Sequence, residues 1–357
     1  MTPAELSRTV LSTVRCAVEA DELRVDVPEW VVVERPPAHR RGDYATNVAL
    51  RLAGPAGRHP REVAEVLAGR LAACPGIARV DIAEPGFLNI TLQATAHARL
   101  VREVVAQGLE YGHNASLAGV CVTLTHDGEP RAAAVAEATG ALLRACGART
   151  GEGPTELVRV RPIRPIGPDR PTGPDRPIGP LNPIGSPRPG SDDPLLRLGR
   201  DAFRWAMVRP TPEEEPRLGP EAEVRLLAQR ESNPLFRIRY AYSRTRALLR
   251  NAHDLGIEPA PEGGYHHTAE TELIGAIADF PRIMETAARH RAPDRVARHL
   301  ERTADTLWRM HDWCPVLPRG DEKPSAAHRA RLSLAEAAGT VLAGGLTLLG
   351  ISAPERL

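Results

Sequence analysis

The sequence predicts an α+β N-terminal domain, a strand–helix remnant, a proline-rich linker and an all-α C-terminal helical bundle. Three observations predict this order. Residues 77–92 alternate apolar and polar side chains about a Pro-Gly turn, and residues 164–187 repeat with a proline-rich six-residue period. Residues 195–357 have helical apolar periodicity almost throughout. With 42% hydrophobic residues among 357, the chain can form more than one core.

Composition and charge exclude several classes of protein. No run of 18 apolar residues occurs, and the first twenty residues carry charged side chains, so we expect neither a transmembrane span nor a signal peptide, and no membrane partner. The five cysteines lie far apart without a C-x-x-C pair, which is typical of free thiols in a reducing cytoplasm and predicts no metal site. A net charge of +1 means that any nucleic-acid contact must come from local basic patches.

The first predicted domain, residues 1–110, combines one sheet with helices packed on it. Residues 77–83 and 87–92 read as paired strands about the turn at Pro85 and Gly86, and residues 30–33 read as a further strand. Apolar spacing predicts the helices of this domain. They cover residues 4–20, 44–52, 60–71 and 95–106.

The second predicted block, residues 111–150, contains one strand at 120–125 and one helix at 132–145. A lone strand–helix unit cannot bury both faces of its strand. Two interpretations therefore stay open. The strand takes partners from the first domain, or the block is the remnant of a larger domain.

Residues 151–194 are predicted to form a linker. Proline lacks a backbone donor and fixes φ, so we expect neither helix nor strand pairing over the repeat at 164–187. An extended spacer of about 3.1 Å per residue is expected instead. The alternative is a docking site for a partner protein that recognises proline motifs.

The last block, residues 195–357, is predicted to be an all-α bundle of five or six helices. Asn233 followed by Pro234 is a typical start of a helix, with an N-cap before proline in the first turn. The candidate helices cover residues 201–208, 221–230, 234–255, 271–290, 294–314 and 326–349.

The helix predicted at 234–255 has two distinct faces. One stripe is expected to face the bundle core, and the opposite face presents Phe236, Tyr240 and Ser243 between arginines. Guanidinium groups beside exposed aromatic rings suit single-stranded RNA, whereas a solvated arginine face with packed aromatics is the alternative. The core stripe is Ile238, Ala241, Tyr242, Thr245 and Leu249; the arginines are Arg237, Arg239, Arg244, Arg246 and Arg250.

Three motifs in this block resemble the arginyl-tRNA synthetase family. Residues 233–244, N-P-L-F-R-I-R-Y-A-Y-S-R, are similar to the family's anticodon-binding helix, and residues 201–205 to its D-A-[LIF]-R signature. Residues 345–357 are similar to the family's C-terminus, G-L-x-L-L-G-[VI]-x-A-P-E-R-M. The resemblance implies a DALR anticodon-binding domain. The residues that it implies for tRNA contact here are Asn233, Phe236, Arg237, Arg239, Tyr240 and Arg244.

Two motifs of the first domain resemble the additional N-terminal domain of the same family. They are residues 42–50, G-D-Y-A-T-N-V-A-L, and residues 86–90, G-F-L-N-I. The resemblance implies that this domain rests on the tRNA elbow and that Phe87 and Asn89 read the D-loop. The alternative places Phe87 in the core and Asn89 in a turn. The residues implied for tRNA contact are Asp43, Tyr44, Asn47, Phe87 and Asn89.

The family's catalytic signature is degenerate in this chain. Residues 126–131, H-D-G-E-P-R, fall where the family has H-x-G-H, and only His126, Gly128 and Arg131 match. At the second histidine of the signature this chain has Glu129, whose carboxylate would repel ATP phosphates. Lys323 is the one lysine in the chain, so the lysine-containing K-M-S-K-S loop has no counterpart. We therefore expect no catalytic residue and no productive binding of ATP or Mg²⁺, the family's cofactors.

The first hypothesis is a cytoplasmic, catalytically inactive, synthetase-like protein that holds the tRNA elbow and the anticodon loop. The expected partner is tRNA, with arginine tRNA implied by the family. Joining two weak contacts by a spacer would raise avidity. One alternative is an arginine–tRNA ligase that is active only with a partner protein, and another is a protein-interaction scaffold without RNA. The sequence leaves the oligomeric state open.

Overall fold

The computed structural model describes residues 1–36, 42–165 and 194–357. These residues divide into two compact units, and four helices contribute residues to both. The first unit consists of Met1–Ala106, Gly256–Arg282 and Met310–Ala337; the second consists of Gln107–Leu255, Ile283–Arg309 and Ala338–Leu357.

The N-terminal part of the first unit is a three-stranded antiparallel sheet with helices packed on it. The central strand is β3, and the strand order is β1-β3-β2. The predicted α+β domain is therefore confirmed. Its elements are α1 (Pro3–Glu19), β1 (Tyr44–Thr46), α2 (Val48–Ala56), α3 (Pro60–Ala72), β2 (Ile77–Ala83), β3 (Phe87–Leu92) and α4 (Ala94–Gln107).

The core of this domain follows from the apolar stripe of α1 and the inward residues of β3. Leu6, Val10 and Val14 of α1 are fully buried, as are Leu88 and Ile90 of β3. A capping box, in which Thr2 and Glu5 exchange hydrogen bonds, fixes where α1 begins. Burial of this aliphatic cluster positions the sheet that carries the sequence-predicted tRNA residues.

Two predicted elements of this domain are wrong. Residues 30–33 form no strand, because the pairing of this segment is limited to one bridge between Glu34 and Ala45. Val31 and Val33 are buried without joining the sheet ladder. The helix predicted from residue 44 begins only at Val48, since residues 44–46 pair with β3 as β1.

The second unit contains a β-α-β element. Strand β4 (Cys121–Thr125) leads into α5 (Pro130–Ala145), and β5 (Arg149–Leu157) pairs with β4 in parallel. The expectation of a lone strand–helix block was wrong, because its second strand lies partly in the segment assigned to the linker. The sequence of β5, R-T-G-E-G-P-T-E-L, has no apolar alternation that would predict a strand.

Six further helices follow, which confirms the predicted all-α bundle. Most of their bounds lie close to the predicted ones, but α6 begins at Pro194 instead of residue 201, with a kink at Gly199. α7 and α8 each begin with proline in the first turn. These helices are α6 (Pro194–Val208), α7 (Pro220–Leu227), α8 (Pro234–Asp254), α9 (Thr268–His290), α10 (Asp294–Trp313) and α11 (Ala326–Leu348).

The predicted linker is only partly within the described residues. Strand β6 (Arg164–Pro165) pairs in parallel with β7 (Arg217–Leu218), so the expectation of no pairing was wrong for the first two residues of the repeat. Proline is tolerated at a strand edge, where no ladder donor is required. The rest of the repeat, residues 166–187, lies outside the described residues.

Within the three described ranges, no helix combines the length and apolar character needed to cross a bilayer. Over the same ranges, no group of three or more His, Cys, Asp or Glu side chains is arranged to hold a metal ion. All five cysteines are free thiols, and their environments differ. Cys16 is exposed, whereas Cys146 and Cys314 are buried.

These thiols should react at very different rates. Burial raises the pKa of Cys146 to about 11 and also raises that of Cys314, so little reactive thiolate exists at pH 8. With a thiol reagent such as DTNB, Cys16 should react first in the native protein, and Cys146 and Cys314 only after unfolding in guanidinium. Mass spectrometry of the labelled peptides checks the order. Rapid native labelling of Cys146 would contradict it.

Candidate nucleic-acid interface

The start of α8 is fixed by a buried asparagine. The Asn233 side chain accepts hydrogen bonds from the backbone N–H groups of Leu235 and Phe236 at 3.1 and 3.4 Å. Its amide donates to the carbonyls of Leu226 and Ala228 at 2.8 and 2.9 Å. Asn233 is only 4% exposed. It therefore positions the helix, and its side chain is not an accessible contact surface.

The buried face of α8 differs slightly from the predicted stripe. Ile238, Ala241 and Thr245 are buried as predicted, but Leu248 is buried instead of Leu249. Tyr242, predicted to face the core, is only half-buried. The physical reason is a close helix contact. A Cβ at Gly339 of α11 would lie 2.5 Å from the Thr245 hydroxyl oxygen, so the two helices meet along the Thr245 line.

Three aromatic rings form a continuous stack on the outer side of α8, here called the aromatic stack. Phe236 and Tyr240, one helical turn apart, have ring centroids 5.6 Å apart and planes 7° apart. Tyr240 stacks in turn on Trp308 of α10 at 5.3 Å and 23°. Tyr240 stays 45% exposed. A ring held by stacked neighbours but open to solvent is a suitable platform for a nucleic-acid base.

Arginines border the aromatic stack, and several are held by carboxylates. Arg237 forms an ion pair with Asp305 of α10. Arg239 donates to Asp201 at 2.9 Å and to the Ser352 hydroxyl at 2.6 Å. Arg246, farther along α8, lies 3.1 Å from Glu355, and Arg244 is half-exposed. Because these ion pairs already hold the guanidinium groups, keeping them beside the aromatic stack costs no further side-chain conformational entropy.

A cleft lies beside the first turns of α8. It has a volume of about 790 Å³ and is lined by α6, by α8 and by the C-terminal segment of the chain. Phe236 and Arg239 contribute to its wall together with Asp201, Ser352 and Leu357. The cleft thus opens beside one end of the aromatic stack and combines apolar and polar lining groups, as small-molecule and base-binding sites commonly do.

The signature at residues 201–205 has a structural explanation. Asp201 accepts hydrogen bonds from Arg239 and from the backbone N–H of Ser352. Arg204, three residues later on the same helix face, donates to the carbonyl of Leu349 and pairs with Glu137. The two side chains therefore hold the C-terminal segment against α6 and α8. Their i,i+3 spacing was visible in the sequence, but their partners were not.

In the N-terminal domain, the predicted tRNA residues lie in two different environments. Tyr44 and Asn89 are buried at 3% and 5% exposure, and burial raises the pKa of Tyr44. Asp43 accepts a hydrogen bond from the Leu92 backbone N–H at 2.7 Å. Asn47 is exposed and Phe87 is half-buried. The pairing of Thr46 with Leu88 brings Asn47 and Phe87 to the same end of the sheet.

The residues at the degenerate signature have become structural groups. His126 is exposed, and its Nδ1 accepts from the Gly128 backbone N–H at 3.1 Å. Glu129 is the N-cap of α5 and accepts from the backbone N–H groups of Ala132 at 2.9 Å and Ile163 at 3.3 Å. A helix N-terminus is a natural phosphate site, and here the chain's own carboxylate occupies it.

Arg131 lies just inside α5 and is fully buried. Its guanidinium donates to five backbone carbonyls at 2.6–3.3 Å. Burial lowers its pKa. This side chain therefore fastens the segment around residues 207–214 to α5. The accepting carbonyls belong to Arg161, Met207, Pro210, Thr211 and Glu214.

Residues 8–92 match the family described as "Arginyl tRNA synthetase N terminal domain", and residues 238–357 match "DALR anticodon binding domain". Fold and site thus define a protein built on domains of an aminoacyl-tRNA synthetase. Proteins named arginine–tRNA ligase from Frankia alni and Renibacterium salmoninarum are each 30% identical, with full coverage of both chains. The chain belongs to the arginyl-tRNA synthetase family.

Solved structures show the same fold. The arginyl-tRNA synthetase of Thermus thermophilus superposes with a TM-score of 0.67 at 16% identity, covering 100% of both chains. That of Plasmodium falciparum gives 0.66 at 9% identity, covering 99% of both. The alignments with the two curated relatives run over 555 and 552 positions, whereas this chain has 357 residues. A large block of each relative therefore has no counterpart here.

Replacing Arg131 should destabilise the protein strongly. Arg131→Met would remove the donor of five backbone carbonyls, one buried and four partly buried, which we expect to lower the free energy of unfolding by about 3 kcal/mol. Arg131→Lys should recover only part of this, because an ammonium has three donors and no planar fork. Chemical denaturation measures the loss. Arg144→Met, an exposed change on the same helix, is the control, and an equal effect of both changes would contradict the assignment.

Acid should weaken the N-terminal domain through His97. Burial lowers the pKa of His97, whose Nε2 lies 3.9 Å from the Asp43 carboxylate, so the folded state favours the neutral ring. The stabilisation is complete above the unfolded pKa of about 6.5 and is lost as the pH falls below it. Urea unfolding at pH 7.5 and 5.5 should show a larger decline for the native chain than for His97→Gln. Equal declines would rule out this role.

Proposed function

We propose that this chain binds tRNA and does not itself activate arginine. The N-terminal domain contacts the tRNA elbow, and the aromatic stack with its arginines holds the anticodon loop. The observation that carries the proposal is the contrast between two sites in the second unit. On α8, Tyr240 is 45% exposed and Phe236 is half-buried, whereas Glu129 and Arg131 at the signature are committed to backbone groups.

The support for RNA binding is chemical. Unpaired bases bind by stacking on aromatic rings, and phosphates bind guanidinium groups. Tyr240 is 45% exposed and stacks with both Phe236 and Trp308, in a region that matches a family of anticodon-binding domains. At the other domain, Asn47 is exposed and Phe87 is half-buried at the same end of the sheet, whereas the half-buried Asp43 accepts a hydrogen bond from the Leu92 backbone. We therefore assign the elbow contact to Asn47 and Phe87 and a supporting role to Tyr44 and Asn89.

The support for inactivity comes from the remaining catalytic block. Nucleotide activation needs fixed positive charge around the reacting phosphorus and a pocket at the ends of parallel strands. Among the described residues, the sheet next to α5 has two parallel strands, β4 and β5, and the other parallel pair, β6 and β7, has two residues in each strand. The start of α5 presents the Glu129 carboxylate where ATP phosphates would have to bind. No lysine occurs before Lys323 in the sequence.

The competing function is arginine–tRNA ligation with a partner protein. Its support is the family membership itself, since the similar proteins from Frankia alni and Renibacterium salmoninarum carry that name. In that case the partner would have to supply both the missing nucleotide pocket and its cations. The exposed His126 would then lie at the edge of the completed site.

Removing the rings should abolish most tRNA binding. Base–aromatic stacking contributes about 1–3 kcal/mol per base, so Phe236→Ala with Tyr240→Ala should weaken affinity by roughly ten- to several-hundred-fold. Fluorescence anisotropy of labelled tRNA measures this. Tyr240→Phe should keep near-native affinity because the ring remains. The matched control is Trp313→Ala, which removes a 72% exposed tryptophan from α10, the helix that carries Trp308. Unchanged affinity of the double variant would contradict the proposed site.

The purified chain should show no arginine-dependent exchange of pyrophosphate into ATP. A family member that carries the complete catalytic block, assayed in parallel, is the positive control. Exchange above background by the purified chain would overturn the inactivity proposal while leaving tRNA binding intact. Exchange that appears only when a second protein is added would favour the ligase with a partner.

A further inference from the structure

One side of helix α9 has a gap in its row of side chains. Thr271, Gly275 and Asp279 are spaced by four residues and therefore lie along one side of the helix. Gly275 is buried, and the Arg35 guanidinium occupies the space in which a Cβ would lie. We call this gap the Gly275 notch. Alanine would favour the helix over glycine, so the glycine is explained by the side chain that packs on it.

The residue that fills the Gly275 notch belongs to the segment beside β1. Glu34, which precedes Arg35, exchanges two backbone hydrogen bonds with Ala45 of β1, at 2.9 and 2.6 Å. The Arg35 guanidinium donates to the Thr271 carbonyl at 3.0 Å. Arg35, β1 and the first fifteen residues of α9 all belong to the first unit. One side chain therefore joins the edge strand of the N-terminal sheet to α9.

The same guanidinium also packs on β1. Its central carbon lies 5.9 Å from the ring centroid of Tyr44, the first residue of the strand. Burial raises the pKa of Tyr44, and the charge of Arg35 opposes that rise. Strand β1 has three residues and pairs with β3 along one edge, so few ladder hydrogen bonds fix it. Asn47, the exposed residue assigned to the elbow contact, follows it directly.

We propose that Arg35 is a positioning residue, which fills the Gly275 notch and thereby holds β1 and Asn47 where the N-terminal domain contacts tRNA. This inference rests on the proposed function and adds a residue that acts through β1. A protein that holds one ligand at two places loses affinity when one contact is loosened, because the effective concentration for the second contact falls. Loss of the anchor should therefore affect only RNA that reaches the N-terminal domain.

Two different variants remove the same anchor. Arg35→Ala deletes the guanidinium, and Gly275→Ala displaces it by placing a Cβ in the notch. The control is Gly69→Ala in α3, where the added Cβ would meet no atom of the described residues outside its own helix within 4 Å, and it should raise the melting temperature. Gly275→Ala should lack this gain in the native chain and show it in the Arg35→Ala background. An equal gain in both backgrounds would contradict the filled notch.

RNA binding then tests the positioning role. Fluorescence anisotropy compares labelled tRNA with the isolated anticodon stem-loop of the same tRNA. Arg35→Ala and Gly275→Ala should each weaken tRNA affinity by about tenfold and leave stem-loop affinity at its native value. Neither change should weaken binding further in an Asn47→Ala/Phe87→Ala variant, because the contact that they position is then absent.

The outcomes separate this inference from the proposed function. Arg24→Ala, which removes an exposed arginine paired with Asp21 in the same domain, is the matched control and should bind both RNAs like the native chain. An equal loss in this control, or equal loss of tRNA and stem-loop binding in Arg35→Ala, would overturn the inference. So would native tRNA affinity of Arg35→Ala when Asn47→Ala/Phe87→Ala loses binding, and the proposed function would then stand. Absence of any binding of either RNA by the native chain would overturn both.

Discussion

The guanidinium of Arg131 is the constraint on which the second unit depends. One buried cation donates to five backbone carbonyls, of which three lie in the irregular segment after α6, one lies at the end of α6 and one follows β5. The segment after α6 leads towards α7 and then α8, which carries two rings of the aromatic stack. A neutral side chain could not replace it, because only a guanidinium presents several donors in one plane. This buried charge therefore joins backbone segments that lie beside the buried apolar side chains of α5 and α6.

Glu129 has a structural role at a position that the family resemblance assigns to the catalytic signature. Glu129 at the start of α5 provides the cap that a bound phosphate would otherwise supply, and it also holds the Ile163 backbone N–H. A carboxylate and an anion cannot both occupy one helix N-terminus, so stabilising the free helix and binding ATP there exclude each other. The side chain at this one position therefore favours either a capped helix or a bound phosphate, and no other residue of α5 has to change.

Periodicity and capping signals in the sequence were enough to predict α8, its buried Ile238 and its exposed Tyr240, because these depend on local spacing. They were insufficient for β5, whose glycines and charges carry no alternating pattern and whose pairing depends on β4. Trp308 was missed for a related reason. Its role arises from the distance between two helices, which no spacing within α10 encodes. The burial of Tyr44 and Asn89 likewise follows from sheet register, so a family motif alone could not distinguish contact residues from supporting ones.

The aromatic stack has a consequence for how the molecule can be observed. Trp308 is an indole in direct ring contact with Tyr240, and the chain has only four tryptophans. Any base that settles on Tyr240 changes the polarity and the electronic surroundings next to that indole. Its ultraviolet emission is therefore an intrinsic optical signal of occupancy, available in the unlabelled protein and local to the contact between α8 and α10. The other three tryptophans provide the background against which that signal is measured.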